Sequence, residues 1–269
     1  MATLTLHHGD CLELMKTLPD KSIDLFLCDL PYGCLSPKAM KFDRVGEWAG
    51  FPSKKTIKGC AWDVPIDLAA FWVQVKRLCK NDHTPVLMFC TAKFGFELIK
   101  SNEDWFRYDL IWNKGHGTGF LMANKMPMRS HESIYVFAKK GANYTRVDIQ
   151  GDFKPSHSKG NQATVGSNTF NGGERLPNTP SVDNSKTRCV LSVVPVENLN
   201  MRKSNKHPTQ KPDDLYEWLI TRYSKEGDTI LDPTAGSFVS CFTAQRLGRN
   251  AIGMEMDEGF YTKANAAVK

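Results

Sequence analysis

Four consecutive residues, Asp29-Leu30-Pro31-Tyr32, are of types suited to work on an amino group attached to an aromatic ring. The nitrogen of such a group is a poor nucleophile, because its lone pair is delocalised into the ring. Two hydrogen-bond acceptors set against its two N–H groups pull it toward tetrahedral geometry and free that lone pair. Asp29 offers a carboxylate as one acceptor, and the main-chain carbonyl of Leu30 offers the other. Pro31 restricts Leu30 to extended backbone, which helps aim that carbonyl. Tyr32 presents a flat face for stacking, worth about 1–3 kcal/mol per base in nucleic-acid complexes. A base inside a duplex cannot reach such a site unless it is flipped out. A Pro-Tyr-Gly turn after a strand is also a common structural ending, so the tetrapeptide draws its meaning from the rest of the chain.

An electrophile is suggested two hundred residues later. Ile230-Leu231 runs into Asp232-Pro233-Thr234-Ala235-Gly236-Ser237, a strand, a tight turn and the start of a helix. Ligands of open α/β sheets sit at such strand ends. A phosphate-binding turn would carry several glycines and no acid at its mouth. Here Asp232 stands at the mouth and would repel a pyrophosphate, whereas a ligand with a positive amino group suits it. S-adenosylmethionine has such a group. Glu255 ends the next strand, where an acid commonly accepts hydrogen bonds from ribose hydroxyls. Upstream, His207-Pro208-Thr209-Gln210-Lys211-Pro212 leads into a helix, and Lys211 there suits the carboxylate of the same ligand. Each piece also has a plain structural use, as a turn, a surface acid or a helix lead-in with Pro212 at the first position.

Elements to position these residues follow from periodicity. Residues 3–7, 22–28, 85–90, 107–112, 133–138, 229–231 and 251–254 read as strands. Leu12, Met15 and Leu18 lie at helical spacing. Asp67 caps a helix with apolar residues at 68, 71, 72, 75, 78 and 79, and a short helix follows near 93–101. Pro212 opens another, with Asp213 and Asp214 where the helix dipole favours them. A last helix runs from the turn at 232–237 to about Leu247. Residues 34–64 read as a long loop. This alternation predicts a doubly wound, mostly parallel sheet.

Composition bounds the partners. The chain has 269 residues, 41% of them apolar, enough for one large α/β domain with an inserted module. No apolar run approaches the ~20 residues that span a bilayer, and Met1–Asp10 lacks a basic-then-apolar leader pattern. The eight cysteines at 11, 28, 34, 60, 79, 90, 189 and 241 form no CxxC pair, which points to free thiols in a reducing cytoplasm. The net charge of +6 is concentrated: residues 139–206 hold eleven Lys+Arg against five Asp+Glu, while the rest of the chain is balanced. Gly, Asn, Ser, Thr and Pro dominate that stretch, so it reads as a basic, loop-rich insert. Such a segment attracts polyanions, nucleic acid above all, although a solvated loop without a partner has the same composition.

Taken in order, these pieces resemble the amino-methylating DNA methyltransferases, in particular the β-class arrangement: catalytic motif first, target-recognition region next, cofactor motifs last. Asp29–Tyr32 is similar to the family's Asp/Asn/Ser-Pro-Pro-Tyr motif, and Asp232–Ser237 to its Asp-Pro-Phe-x-Gly-Ser-Gly turn. His207–Pro212, Gly9-Asp10, Trp112-Asn113-Lys114, His131-Glu132 and Gly248–Glu255 followed by Tyr261 match further family segments. The resemblance covers most of the chain except about 141–186. It implies a Rossmann-like fold, with residues 1–138 and 207–269 as the catalytic domain and 139–206 as the target-recognition insert. It also implies S-adenosylmethionine as cofactor and double-stranded DNA as substrate, with no membrane association. Some relatives pair up, so a homodimer is compatible with it. The cofactor contacts it implies are Asp10, Cys28, His207, Thr209, Gln210, Lys211, Asp232, Pro233, Thr234, Gly236, Ser237 and Glu255, with no metal. Asp rather than Ser at position 29 resembles the adenine-N6 members. Cytosine-N4 methylation on the same scaffold is the nearest alternative, and a DNA-binding relative with lost catalysis is another. Three positions depart from the pattern. Leu30 replaces a proline whose role is a backbone carbonyl, so little change is expected. Thr234 and Phe238 replace a phenylalanine and a glycine of the cofactor turn, and are expected to narrow its pocket or weaken binding.

Overall fold

The computed structural model describes residues 2–33, 63–120, 123–152, 186–196 and 210–268. His207 and Thr209, nearly all of the 34–64 loop and most of the 139–206 segment lie outside the described residues. In chain order the elements are β1 (Leu4–His8), α1 (Cys11–Lys16), β2 (Leu25–Cys28), α2 (Leu68–Leu78), β3 (Val86–Cys90) and α3 (Ala92–Ser101). A long hairpin follows, β4 (Phe106–Thr118) and β5 (Arg129–Phe137). Then come β6 (Ile149–Gln150), β7 (Thr187–Arg188), β8 (Val193–Val194), α4 (Asp213–Tyr223), β9 (Thr229–Asp232), α5 (Val239–Arg246), β10 (Asn250–Glu255) and α6 (Glu258–Ala266). The chain divides into two compact units. The larger comprises residues 1–145 and 192–269, and the smaller, residues 146–191, contains the antiparallel pair β6–β7. Residues 139–145 and β8, read from sequence as part of the insert, thus fall in the larger unit.

One eight-stranded sheet organises the larger unit, in the order β1-β10-β9-β2-β3-β5-β4-β8. The first five strands are parallel; β5 runs antiparallel to both β3 and β4. β2 and β3 are buried at every residue, as strands covered on both faces must be, and this is why they read as continuous apolar runs rather than alternating ones. Successive side chains still point to opposite faces. Leu25, Leu27, Leu87 and Phe89 join Leu215, Leu219 and Ile220 of α4 and Cys241 and Ala244 of α5. Phe26, Cys28, Val86 and Met88 join Met15 of α1, Phe71, Trp72 and Val75 of α2, and Leu98 of α3. The sheet is therefore doubly wound.

Caps fix where the helices begin. Asp67 accepts from the N–H groups of Ala69 and Ala70, as its sequence position suggests. Asp10 does the same for α1, accepting from Leu12 at 2.8 Å and Glu13 at 3.2 Å. Pro212 is the cap of α4 rather than its first residue, with Asp213 and Asp214 inside the first turn. The hairpin strands run well past the apolar windows 107–112 and 133–138. Backbone pairing from Phe106 opposite Phe137 to Thr118 opposite Arg129 carries them through polar and glycine residues.

Candidate active site

The parallel strands deliver four carboxylates to one end of the sheet. Asp10 follows β1, Glu255 ends β10, Asp232 ends β9 and Asp29 follows β2, on four neighbouring strands. Register confirms the proximity: His8 lies opposite Glu255, and Gly253 opposite Asp232. The helices of the two faces diverge between β9, followed by α5, and β2, whose neighbour β3 is reached through α2. Such a crevice is where open α/β sheets bind ligands.

Asp232 is 2% exposed, and its two oxygens are used within the chain. Oδ1 accepts from the Thr234 N–H at 3.1 Å, and Oδ2 accepts from the Ser240 hydroxyl. Burial pushes its carboxyl up to about 7; the Ser240 and Thr234 hydrogen bonds oppose that rise, and the charges of Asp29 and Glu255 add to it. Glu255 closes the turn from the next strand. It accepts from the Gly236 N–H at 2.8 Å and from the Asp257 N–H at 2.7 Å, and burial raises it above the ordinary carboxylate value. Gln210 accepts from the Ser237 hydroxyl at 3.0 Å, tying the lead-in of α4 to the same turn. Pro233 is buried, while Thr234, Ala235, Gly236 and Ser237 are partly exposed. Cys28 is fully buried at the end of β2, and burial, then the Asp232 charge, drives its thiol well above the ordinary range.

The two departures in this turn behave differently. Phe238 adopts φ 58°, the left-handed region that glycine occupies freely and bulky residues avoid. This explains why a glycine suits position 238. The Phe238 ring does not open toward solvent: it is 0% exposed and packs into the core beside Tyr261 and against the backbone of Gly253. Phe238 therefore introduces backbone strain at the turn and apolar contact beneath it. The Thr234 hydroxyl is buried and has no hydrogen-bond partner among the described residues. A polar atom in that state awaits one.

At the other side of the crevice, Tyr32 donates its hydroxyl to Asp29 Oδ1 at 2.8 Å. Burial and the Asp29 charge drive the Tyr32 phenol well above its ordinary value, so it stays a donor. Its ring lies 5.1 Å from that of Phe94. Leu30 is buried in the core, which leaves only its backbone for chemistry. Gly33, at φ 69°, turns the chain and donates its N–H to buried Asp63 at 2.8 Å.

Lys211 extends to this side, where its ammonium donates to Asp29 Oδ2 at 2.6 Å. It also lies 3.4 Å from Glu132 Oε2, an ionic contact without hydrogen-bond geometry, and 4.5 Å from the centre of the Phe89 ring. Glu132 in turn pairs with Lys114. Burial alone would lower the Lys211 ammonium, but the Asp29 and Glu132 carboxylates hold it above its ordinary value. Burial would likewise raise Glu132, and the two lysines keep it below. Sequence motifs included Lys114 and Glu132 without giving either a role. Their signal was two charged residues inside strands, brought together only by hairpin register.

The donor set fits S-adenosylmethionine better than a phosphorylated cofactor. Asp10, Asp232 and Glu255 favour a ligand with cationic groups, and the unpartnered Thr234 hydroxyl offers it a hydrogen bond. Among the described residues no cluster suited to a metal ion occurs, and no helix is long and apolar enough to cross a membrane.

Known proteins are similar to this chain in sequence and in fold. DNA adenine methyltransferase YhdJ of Escherichia coli (strain K12) is 27% identical over 260 residues, covering 95% of this chain and 79% of its own. Type II methyltransferase M.HinfI of Haemophilus influenzae is 25% identical over 280 residues, covering 98% and 68%. The crystal structure of the M1.HpyAVI–SAM complex superposes with a TM-score of 0.57 at 18% identity, covering 98% of this chain and 99% of that one. The sequence model of the DNA methylase family matches residues 23–266. A match over nearly the whole chain decides the matter: this chain belongs to the DNA methylase family, whose members modify the N6 of adenine or the N4 of cytosine.

Proposed function

We propose that the chain transfers a methyl group from S-adenosylmethionine to the N6 amino group of an adenine flipped out of double-stranded DNA. The observation that carries this reading is the placement of Asp29, held by Tyr32, on the strand next to that of Asp232. The acceptor for an amino group and the turn suited to a cationic cofactor stand on adjacent strands, close enough for the Asp29 charge to act on Asp232. When bound, the cofactor supplies an electrophilic methyl carbon. Asp10, Asp232 and Glu255 provide negative charge around it, Thr234 offers a hydroxyl, and Gln210, Gly236 and Ser237 shape the turn. The Asp29 carboxylate accepts one N–H of the base's amino group, and the Leu30 carbonyl accepts the other. Tyr32 holds Asp29 through its hydroxyl and offers its ring for stacking, with Phe94 bracing it.

Adenine is favoured over cytosine by aspartate at position 29 and by the adenine-directed relative YhdJ. The basic stretch 139–206 supplies phosphate contacts and base readout. Digestion of DNA treated with the purified protein and cofactor, followed by mass analysis of the nucleosides, tests the assignment. N6-methyladenine is expected; N4-methylcytosine in its place would move the chain to the cytosine branch. Asp29→Ala should abolish transfer while leaving cofactor binding by calorimetry intact, and wild-type turnover by that variant would remove Asp29 from the mechanism.

A further inference from the structure

Lys211 reaches Asp29 across 182 positions of sequence and sits in a row of alternating charges, Asp29, Lys211, Glu132 and Lys114. The row crosses four elements: the end of β2, the lead-in of α4, and both strands of the β4–β5 hairpin. Exposure falls from 24% for the Asp29 side chain to 6% for Lys211, then 17% and 11% for Glu132 and Lys114. The row is electrically neutral. Neutrality makes burying four ionised groups tolerable, and removing one from the middle strands its neighbours.

A lone carboxylate turns readily about its last side-chain bond. That of Asp29 is held at both oxygens, by the Tyr32 hydroxyl at 2.8 Å and by the Lys211 ammonium at 2.6 Å. Each carboxylate oxygen has a second lone pair, so acceptor capacity remains for an incoming N–H. Lys211 is fixed just as firmly, with Glu132 opposite Asp29 and the Phe89 ring beside its ammonium. An ammonium so occupied has little to offer a cofactor carboxylate.

We propose that Lys211 is a positioning residue for the catalytic carboxylate, clamping Asp29 in the orientation that receives the amino group, and that Glu132 seats Lys211 for that task. The proposal rests on the reading of Asp29 as the group that receives the base. Misplacing a reacting group by about an ångström costs on the order of a hundredfold in rate. Lys211→Met, which keeps the stem and removes the charge, should lower kcat by about that factor, with cofactor affinity by calorimetry and KM for DNA unchanged. Lys211→Arg, which restores the charge, should recover part of the loss. Glu132→Gln should lower kcat less, again without weakening cofactor binding. A fall in cofactor affinity parallel to the fall in kcat would make Lys211 a cofactor ligand and overturn the proposal, as would unchanged kcat in Lys211→Met. If Lys211→Met does not fold, unchanged kcat in Glu132→Gln overturns it equally. A readout independent of turnover is the double-mutant cycle of Asp29→Asn and Lys211→Met in thermal unfolding, run with Lys211→Gln, which also removes the charge, where Met does not fold. Non-additivity supports the clamp, and additivity overturns it. If wild-type protein methylates no DNA base, the functional reading fails, and the cycle still decides whether the clamp exists.

Discussion

Asp232 makes a quantitative prediction about stability. Its carboxyl is 2% exposed and is pushed from an ordinary 3.8 up to about 7, chiefly by burial. In the window between about pH 4 and pH 7 the folded protein keeps a proton that the unfolded chain releases. Stability from this group is therefore fully present below about pH 4, declines as pH rises through the window, and levels off above about 7. At about 1.4 kcal/mol per pH unit, the total loss is about 4 kcal/mol. Asp232→Asn removes the titration and retains the polar contacts: its carbonyl can accept from the Thr234 N–H, and its amide can donate to the Ser240 hydroxyl. The assay is urea unfolding of both proteins at intervals from pH 4 to pH 8, comparing the difference between them so that other titrating groups cancel. The variant should match wild type near pH 4 and exceed it by about 2–4 kcal/mol at pH 8. The variant should also bind S-adenosylmethionine more weakly above pH 7, where wild type presents a full negative charge to it. Stability curves that run parallel across the whole range would refute the assignment of a buried, proton-holding carboxyl at position 232.

Two further variants test packing and substrate contact. A β-carbon at Gly253 would lie 2.6 Å from the Phe238 ring and 2.7 Å from Cys241 Sγ, so Gly253→Ala should cost about 1–3 kcal/mol in thermal or denaturant unfolding; an unchanged midpoint would mean the ring moves aside freely. Residues 115–131, between Lys114 and Glu132 in the sequence, contain no Asp or Glu. Replacing both Lys125 and Arg129 by Ala should weaken DNA binding regardless of sequence and flatten the slope of log K against log salt by about 2, measured by fluorescence anisotropy; an unaltered slope would place the phosphate contacts elsewhere.

The sequence showed the fold wherever local chemistry decides it. Apolar runs at 25–28 and 86–90 are buried on both faces, and composition alone identifies them as strands. Asp67 caps a helix because its carboxylate accepts the first-turn N–H groups of Ala69 and Ala70. The hairpin was legible only at its apolar end, because from Asn113 to Thr118 and from Arg129 to His131 pairing is a backbone matter that side chains do not advertise. Phe238 illustrates a different limit. Its identity suggested bulk in a ligand pocket, whereas its left-handed backbone turns the ring into the core, and only the dihedral angle distinguishes the two outcomes.

Lys211 shows most clearly why site residues are harder to read than folds. Its position before α4, beside Gln210, placed it near the cofactor turn, and Gln210 does contact Ser237 of that turn. The lysine stem reaches beyond the turn to Asp29, and whether it does so depends on Glu132, which in turn depends on the register of a hairpin. A buried ammonium settles where opposite charge can offset its desolvation. Two carboxylates at the foot of the crevice provide that more fully than one carboxylate on a diffusible ligand. On the clamp proposed above, the charge balance of the whole site, rather than the motif containing Lys211, sets which partner it serves. The same balance ties Asp29 to both strands of the β4–β5 hairpin, so a change at Lys114 or Glu132 should reach Asp29 without touching the turn at 232–237.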